Sequence, residues 1–366
     1  MKVLATLAVI CLLPAIAHAQ VEKSGPWEMQ SSGTTASLRG IHAVGGGVAW
    51  ASGTNGTVLR TEDSGYMWQS CAMPPQAEKL DFRGIWAWDA NTAIIMSSGP
   101  GDQSRLYKTT DGCSHWTLLY TNPDKDGFWD AVAFWDGENG TKPDDEEGFL
   151  LGDPVQGHFS RFDIRRRGQA IDHSKDVNGT PAMDGEGAFA ASNSSIALGK
   201  RFQQGKSTAI WFGTGGKSGP RIYKLDLNTN ANVSTQKWTS VSVPLARGAE
   251  ASGIFSLAFR DEQHGMAVGG DYTKPNESAG TAAWVTDGGQ HWTAAQKPPH
   301  GYRSTVAWNA DAKAWIAAGT NGSDISYDEG KTWQSLDDGN WNALSLPWIV
   351  GPKGRIAKLG ALPPKK

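Results

Sequence analysis

The stretch Thr61-Glu-Asp-Ser-Gly-Tyr-Met-Trp68 occurs in four related copies within this chain of 366 residues. The other copies are Thr109-Thr-Asp-Gly-Cys-Ser-His-Trp116, Val285-Thr-Asp-Gly-Gly-Gln-His-Trp292 and Ser326-Tyr-Asp-Glu-Gly-Lys-Thr-Trp333. Each copy has Asp at its third place, Trp at its eighth and Gly at its fourth or fifth. The first two copies start at residues 61 and 109, and the last two at 285 and 326. Since one four-stranded blade takes about 40–50 residues, the spacing predicts an all-β propeller.

The repeated residue types suit a tight turn between two strands. An Asp side chain accepts hydrogen bonds from backbone N–H groups inside such a turn, and Gly supplies a positive φ angle. The Trp then begins the next strand and packs on the neighbouring sheet. We therefore predict structural roles for the four Asp residues, with no metal site and no cofactor. These residues are Asp63, Asp111, Asp287 and Asp328.

Aligning the chain on this turn predicts seven blades of four antiparallel strands. The last blade has only three strands at the C-terminal end, and the segment Gly25-Pro-Trp-Glu-Met-Gln30 resembles a Trp-bearing outer strand. An open last blade would expose an unpaired edge, so we expect the N-terminal strand to complete it. The predicted blades span residues 37–72, 80–120, 127–167, 185–243, 252–296, 302–336 and 340–360 together with 25–30.

The first 19 residues have the pattern of a secretory signal. Lys2 precedes an apolar stretch over residues 3–16, and Ala17-His-Ala19 resembles a cleavage site. We therefore expect an exported protein, periplasmic or secreted, with one propeller domain over residues 20–366 and a monomeric state. Two Cys residues remain after cleavage, Cys71 and Cys113, and the sequence leaves open whether they pair. The net charge of −3 argues against a nucleic-acid partner.

Position two of the inner strands predicts a binding site at the end of the central channel. That position is read as Arg39 in blade 1, Arg83 in blade 2 and Arg303 in blade 6. Three converging guanidinium groups would bind a carboxylate or phosphate, while the alternative is that each Arg pairs with a local carboxylate. The same register gives Asp130 in blade 3, with Glu186 close by. Further candidates on that face are Asp153, Asp271, Tyr272, Arg105 and Arg221.

The chain resembles the BNR/Asp-box propellers, and more closely the photosystem II stability/assembly factor-like group with its WD40/YVTN/BNR-like repeats. The residues that carry this resemblance are Gly53-Thr-Asn-Gly-Thr-Val-Leu-Arg-Thr61, Gly319-Thr-Asn-Gly-Ser-Asp-Ile-Ser326 and Arg105-Leu-Tyr-Lys-Thr-Thr-Asp111. The resemblance covers nearly the whole mature chain. It implies a non-catalytic propeller that holds a partner protein, or an anionic ligand, on an Arg-rich face.

Sialidases share the Asp-box, and they provide the alternative of a glycan-active enzyme. Their Phe/Tyr-Arg-Ile-Pro motif is absent here, although Tyr272 or Tyr302 beside the three arginines would imitate their nucleophile. Another glycoside hydrolase would need two carboxyl groups about 5–10 Å apart. The candidates for such a pair are Asp130, Asp153, Glu186 and Asp271. Enzymatic activity is thus left open, with binding favoured.

Overall fold

The computed structural model describes residues 23–135, 147–165, 169–172, 179–199, 208–227 and 237–365. The predicted signal of residues 1–19 lies outside these ranges. Seven antiparallel sheets form a ring of blades, which confirms the predicted all-β, seven-bladed propeller. Among the described residues, the helical structure is limited to one short 3-10 turn at Gly101–Gln103. No helix in this part of the chain is long and apolar enough to cross a membrane.

Each blade runs from an inner strand beside the channel to an outer strand. Blade 1 comprises Leu38–Gly45, Val48–Gly53, Val58–Thr61 and Gln69–Ser70. Blade 2 comprises Phe82–Ala87, Ala93–Ser97, Arg105–Thr109 and Thr117–Thr121. Blade 3 comprises Trp129–Phe134, Glu147–Val155, His158–Arg165 and Gln169–Asp172. Blade 4 comprises Ile196–Leu198, Thr208–Gly213, Arg221–Leu227 and Thr239–Ser242.

Two of the remaining three blades belong to sheets with more than four strands. Blade 5 comprises Ser252–Phe259, Gly265–Asp271, Ala282–Val285 and Thr293–Ala294, and its sheet also contains Glu186–Gly187 and Gly215–Gly216. Blade 6 comprises Thr305–Asn309, Ala314–Gly319, Gly322–Ser326 and Gln334–Asp337. Blade 7 comprises Ala343–Ser345, Trp348–Val350, Ile356–Leu359, Trp27–Gln30 and Lys23–Ser24.

The N-terminal strand closes the ring, as the sequence predicts. Trp27 pairs with Leu359 and Gln30 with Ile356, in antiparallel register. The Trp27 ring is fully buried, and its Nε1 donates to the Ser323 hydroxyl of blade 6 at 2.9 Å. The two ends of the chain therefore share one sheet, and they also bind blade 7 to its neighbour.

Hydrophobic clusters between neighbouring blades hold the ring together. Seven clusters are present among the described residues, and each contains at least one buried Trp. The cluster between blades 7 and 1, for example, packs Trp68 edge-on against Trp348 with ring centroids 5.2 Å apart. The 17 Trp residues of this chain thus fill the wide gaps between twisted sheets, for which smaller side chains would be too short.

The Asp of each repeated turn accepts hydrogen bonds from within the turn. In the first copy, Asp63 Oδ1 accepts from the Thr61 hydroxyl at 2.9 Å and from the Met67 N–H at 3.0 Å. The same third-to-seventh bond joins Asp111 to His115, Asp287 to His291 and Asp328 to Thr332. The fourth and fifth residues of all four copies have positive φ angles of 62–97°. Each carboxylate thus stabilises a turn with two consecutive left-handed residues.

One of those left-handed residues is Cys113, with a φ of 64°. It forms a disulfide with Cys71, and the two Cα atoms are 5.3 Å apart. Cys71 follows the outer strand of blade 1, while Cys113 lies in the repeated turn of blade 2. The pairing that the sequence left open is therefore present, and it links two neighbouring blades covalently.

Residues 188–195 cross the end of the channel before blade 4 begins. Asn193 lies in this segment, and its Oδ1 accepts from the backbone N–H of Val132 in blade 3 at 2.8 Å. Ser192 donates to the carbonyl of Ser304 at the start of blade 6, at 2.7 Å. Blades 3 and 6 lie on opposite sides of the ring, so the segment forms a plug. For this reason the inner strand of blade 4 begins at residue 196, later than the predicted start at residue 185.

Candidate functional site: a pocket at the channel end

Six blades each place the residue at one equivalent inner-strand position in a single pocket beside the plug. The pairing of the inner strand shifts in four blades, which is a β-bulge. The shift falls at the second residue of the strand in blades 1, 2 and 3, and at the fourth residue in blade 5. A bulge bends the strand and redirects the side chain. The bulged residues are Arg39, Arg83, Asp130 and Phe255, and Ser304 and Asn342 hold the equivalent place in blades 6 and 7. All six line one cavity of about 400 Å³.

The predicted convergence of three arginines is wrong, because Arg303 lies outside this pocket. Its side chain is fully buried and forms an ion pair with Asp324, to which Nε donates at 2.6 Å. Further hydrogen bonds join its guanidinium to Asn321 Oδ1 at 2.6 Å and to His300 Nδ1 at 2.9 Å. Arg303 therefore has a structural role. This agrees with the alternative stated above, in which an Arg pairs with a local carboxylate.

A one-residue error in register explains the incorrect placement of Arg303. A Cβ added at Gly53, which ends the second strand of blade 1, would lie 3.0 Å from the Leu38 Cα. A Cβ added at Gly319, the equivalent glycine of blade 6, would lie 3.1 Å from the Arg303 Cα. Arg303 thus corresponds to Leu38, and Ser304 faces the pocket. Because side chains alternate along a strand, a shift by one residue reverses the direction of each.

Arg39 and Arg83 form the positively charged part of the pocket. Both approach Asp81, with Arg83 Nε 2.8 Å and Arg39 Nη2 3.7 Å from its Oδ2. Arg83 also donates to the carbonyl of Ala190 in the plug at 3.0 Å. The Nε of Arg39 is buried and has no hydrogen-bond partner among the described residues. Two guanidinium groups share one carboxylate, so Arg39 retains donors for a ligand.

Asp130 and Asp153 form the acidic part of the same pocket. Asp130 is only 1% exposed, and its Oδ2 is buried without a hydrogen-bond partner in the described part of the chain. Burial raises its pKa well above the ordinary range, the charge of Asp153 adds to this, and that of Arg83 opposes it. Burial also raises the pKa of Asp153, whose Oδ1 accepts from the Ala188 N–H at 2.9 Å. Two of the four candidate carboxyl groups thus line the same pocket as Arg39 and Arg83.

Aromatic rings form the remaining wall of the pocket. Phe189 of the plug stacks on Phe255, with ring centroids 3.9 Å apart, and Tyr302 meets the edge of Phe255 at 4.8 Å. Tyr272 is 52% exposed at the rim. Burial raises the pKa of Tyr302, so its hydroxyl remains protonated and is a poor nucleophile. No glutamate is among the described residues that line the pocket, so the sialidase-like Tyr–Glu pair is not formed there.

Glu186 and Arg221 pair with each other away from the pocket lining. Their side chains form an ion pair, and the Thr214 hydroxyl donates to Glu186 Oε1 at 2.6 Å. Glu186 precedes the plug and belongs to the sheet of blade 5. Glu186 therefore does not join Asp130 in the pocket, contrary to the expectation from the sequence. Its contacts instead fix the point at which the chain enters the plug.

Two other predicted residues have local partners. Arg105 donates to the carbonyl of Asp102 at 2.6 Å. Asp271 accepts from the backbone N–H of Thr273 at 2.9 Å and from its hydroxyl at 2.6 Å, which forms a turn beside Tyr272. Neither Arg105 nor Asp271 is among the residues that line the pocket. The site is therefore smaller than the predicted set.

Phe255, Ser304, Asn342 and Phe189 were missed by the reading of the sequence. The first three would have been found by aligning the blades on the glycine that ends the second strand, since that glycine packs on the residue before the bulge. In blades 3, 5 and 7 these glycines are Gly152, Gly269 and Gly351. Phe189 comes from the plug, for which the repeat provides no equivalent.

No family model matches this chain, and no curated protein matches it in sequence. Among solved structures it is similar to "YCF48 bound to D1 peptide", with 15% identity, 96% of this chain and 100% of that chain covered, and a TM-score of 0.58. It is also similar to the WD40 β-propeller domain of Doa1, with 11% identity, 91% and 97% covered, and a TM-score of 0.56. These likenesses concern the fold, and a seven-bladed propeller fits the family that the sequence resembles.

Proposed function

We propose that this protein is an exported, non-catalytic propeller that binds a segment of a partner protein and acts as an assembly or stability factor. The segment presents a carboxylate or another anionic group to Arg39 and Arg83. The export rests on the signal pattern of residues 1–19, and the disulfide between Cys71 and Cys113 suits an oxidising compartment.

The observation that carries this proposal is the incomplete pairing of Arg39 within a pocket. Its side chain is 28% exposed, and its Nη2 lies 3.7 Å from a carboxylate already engaged by Arg83. Its Nε is buried and has no partner among the described residues. Charge-assisted hydrogen bonds to a ligand carboxylate would satisfy those donors. A propeller of the same fold has been solved with a bound peptide, which supports a protein segment as the ligand.

Capture of a partner by the wild-type protein and by single Arg variants tests the proposal. The protein is immobilised, exposed to an extract of the source cells, and the bound proteins are identified and then titrated individually. Arg39→Ala and Arg83→Ala are each expected to weaken the affinity by about tenfold or more. The loss should shrink at high salt, because the interaction is electrostatic.

Arg247→Ala provides a matched control, because Arg247 is exposed and does not line the pocket. It removes the same charge from the protein and should leave the affinity within about twofold of wild type. Equal affinity of Arg39→Ala and Arg247→Ala for the partner would show that the partner binds elsewhere, and would refute the proposal.

A second candidate function, a glycan-active enzyme, is favoured by one observation. Asp130 and Asp153 line the same pocket, and the raised pKa of Asp130 suits a general acid. Glycoside hydrolysis would pair that acid with the second carboxylate. Release of sugar from a panel of glycans, lost in Asp130→Asn and in Asp153→Asn, would establish it. Full release by both variants, or none by the wild type, would exclude these residues as its catalytic pair.

A further inference from the structure

The acidic part of the pocket has no role in binding an anion. A carboxylate ligand held by Arg39 would lie in a pocket that also contains Asp130 and Asp153, and these repel it when ionised. Asp130 nevertheless occupies the bulged position of its inner strand, where a neutral or positively charged residue would serve an anion site better. This points to a second group on the ligand.

The unpaired oxygen of Asp130 indicates what that group is. Its Oδ2 is buried and has no hydrogen-bond partner among the described residues, and the whole residue is only 1% exposed. An unsatisfied buried carboxyl oxygen is costly, and the neighbouring carboxyl of Asp153 increases the cost. A compact cation that donates several hydrogen bonds would relieve both carboxyl groups, and an ammonium group has these properties.

We propose that the pocket binds an alkylammonium group, such as a lysine side chain of the partner, between Asp130 and Asp153. The inference extends the proposed function, since the carboxylate on Arg39 and Arg83 and the ammonium belong to the same bound segment. The ligand class is then a protein segment in which a lysine side chain lies close to a carboxylate.

The aromatic wall suits the stem of such a side chain. Phe255 occupies the bulged position of blade 5, and the stacked ring of Phe189 extends the apolar surface it provides. A lysine side chain buries its methylene groups against apolar surface while its ammonium reaches polar groups. The ring faces also attract a cation. The wall and the two carboxyl groups together distinguish lysine from an uncharged side chain of equal length.

Two matched probes test the inference. Nα-acetyl-lysine and Nα-acetyl-norleucine share a carboxylate and an aliphatic stem, but only the first carries an ammonium group. Their dissociation constants are measured by NMR titration against the wild-type protein. Acetyl-lysine is expected to bind about tenfold more tightly than acetyl-norleucine. In Asp130→Asn and in Asp153→Asn that preference should fall below about threefold, with acetyl-norleucine little changed.

Asp102→Asn is the control, because its side chain is 80% exposed and outside the pocket, and it should keep the full preference. Arg39→Ala should weaken the binding of both probes. If acetyl-norleucine binds in an Arg39-dependent way and acetyl-lysine gains nothing, the ammonium site is refuted while the anion site stands. If the preference for acetyl-lysine depends on Asp130 but neither probe depends on Arg39, the anion site is refuted instead. A preference that survives in both Asp variants, or binding of neither probe, would overturn the inference.

Discussion

Replacing Trp27 with Ala should weaken the protein at the point where its two ends meet. The substitution removes a fully buried indole that packs near Trp341, with ring centroids 6.1 Å apart, and donates to Ser323. A Trp→Ala change in a core costs about 3–5 kcal/mol, and the lost hydrogen bond adds about 1 kcal/mol. We expect the free energy of unfolding to fall by about 4–6 kcal/mol.

Urea unfolding followed by Trp fluorescence and circular dichroism measures this change. With a denaturant dependence of about 3 kcal/mol per M, the midpoint should fall by about 1.3–2 M. Tyr66→Ala is the matched control, because it also removes an aromatic ring but from a side chain that is 93% exposed. Its effect should stay within about 0.5 kcal/mol.

A peptide of residues 21–30 provides a second test of ring closure. A chain that begins at residue 31 should unfold at a lower urea concentration, and adding the peptide should restore part of the loss. The same peptide with Trp27→Ala should restore much less. A truncated chain as stable as the full protein, or a Trp27→Ala midpoint equal to that of Tyr66→Ala, would refute the reasoning.

Two further predictions concern residues whose charge the fold controls. Arg303→Leu removes the fully buried cation that pairs with Asp324, which is itself 1% exposed, and leaves that carboxylate with His300, whose Nδ1 lies 2.8 Å away. Urea unfolding should show a loss of about 3–5 kcal/mol; wild-type stability together with a loss of ligand affinity would contradict the structural role assigned to Arg303. Burial lowers the pKa of His42 from 6.5 to about 4. Between these pH values the unfolded chain takes up a proton that the folded protein does not, so unfolding free energy should fall by up to about 3 kcal/mol as the pH drops from about 6.5 to about 4. In a pH series of urea titrations, His42→Phe should remove this dependence of the unfolding free energy on pH. An unchanged dependence would show that another group takes up the proton.

The fold was predictable because its signals are local and repeated. The Asp of each turn bonds to a backbone N–H four residues later, so the turn can be recognised in a short window of sequence. The closing strand was predictable as well, since a Trp-bearing segment was left over at one end and an incomplete blade at the other. Both inferences required only the number of strands and their order.

The site was less predictable, because it depends on register and on a segment outside the repeat. A shift by one residue placed Arg303 in the pocket and left Ser304 out. The plug of residues 188–195 has no periodic pattern, and it forms the floor on which Arg83 and Asp153 find backbone partners. Such contacts join residues far apart in the chain, so inspection of one blade at a time does not reveal them.

Closure of the ring by the N-terminal strand also constrains the order in which the protein is made. Residue 27 leaves the ribosome long before its partner at residue 359, because more than 300 residues separate the two in the chain. At about 5–20 residues per second, the intervening segment takes on the order of tens of seconds to synthesise. Throughout that interval the strand has no edge to join, so blade 7 is assembled only after residues 356–359 have been made. Blades 1 to 6 can form as they emerge, and the ring is completed by two strands that were synthesised at widely separated times.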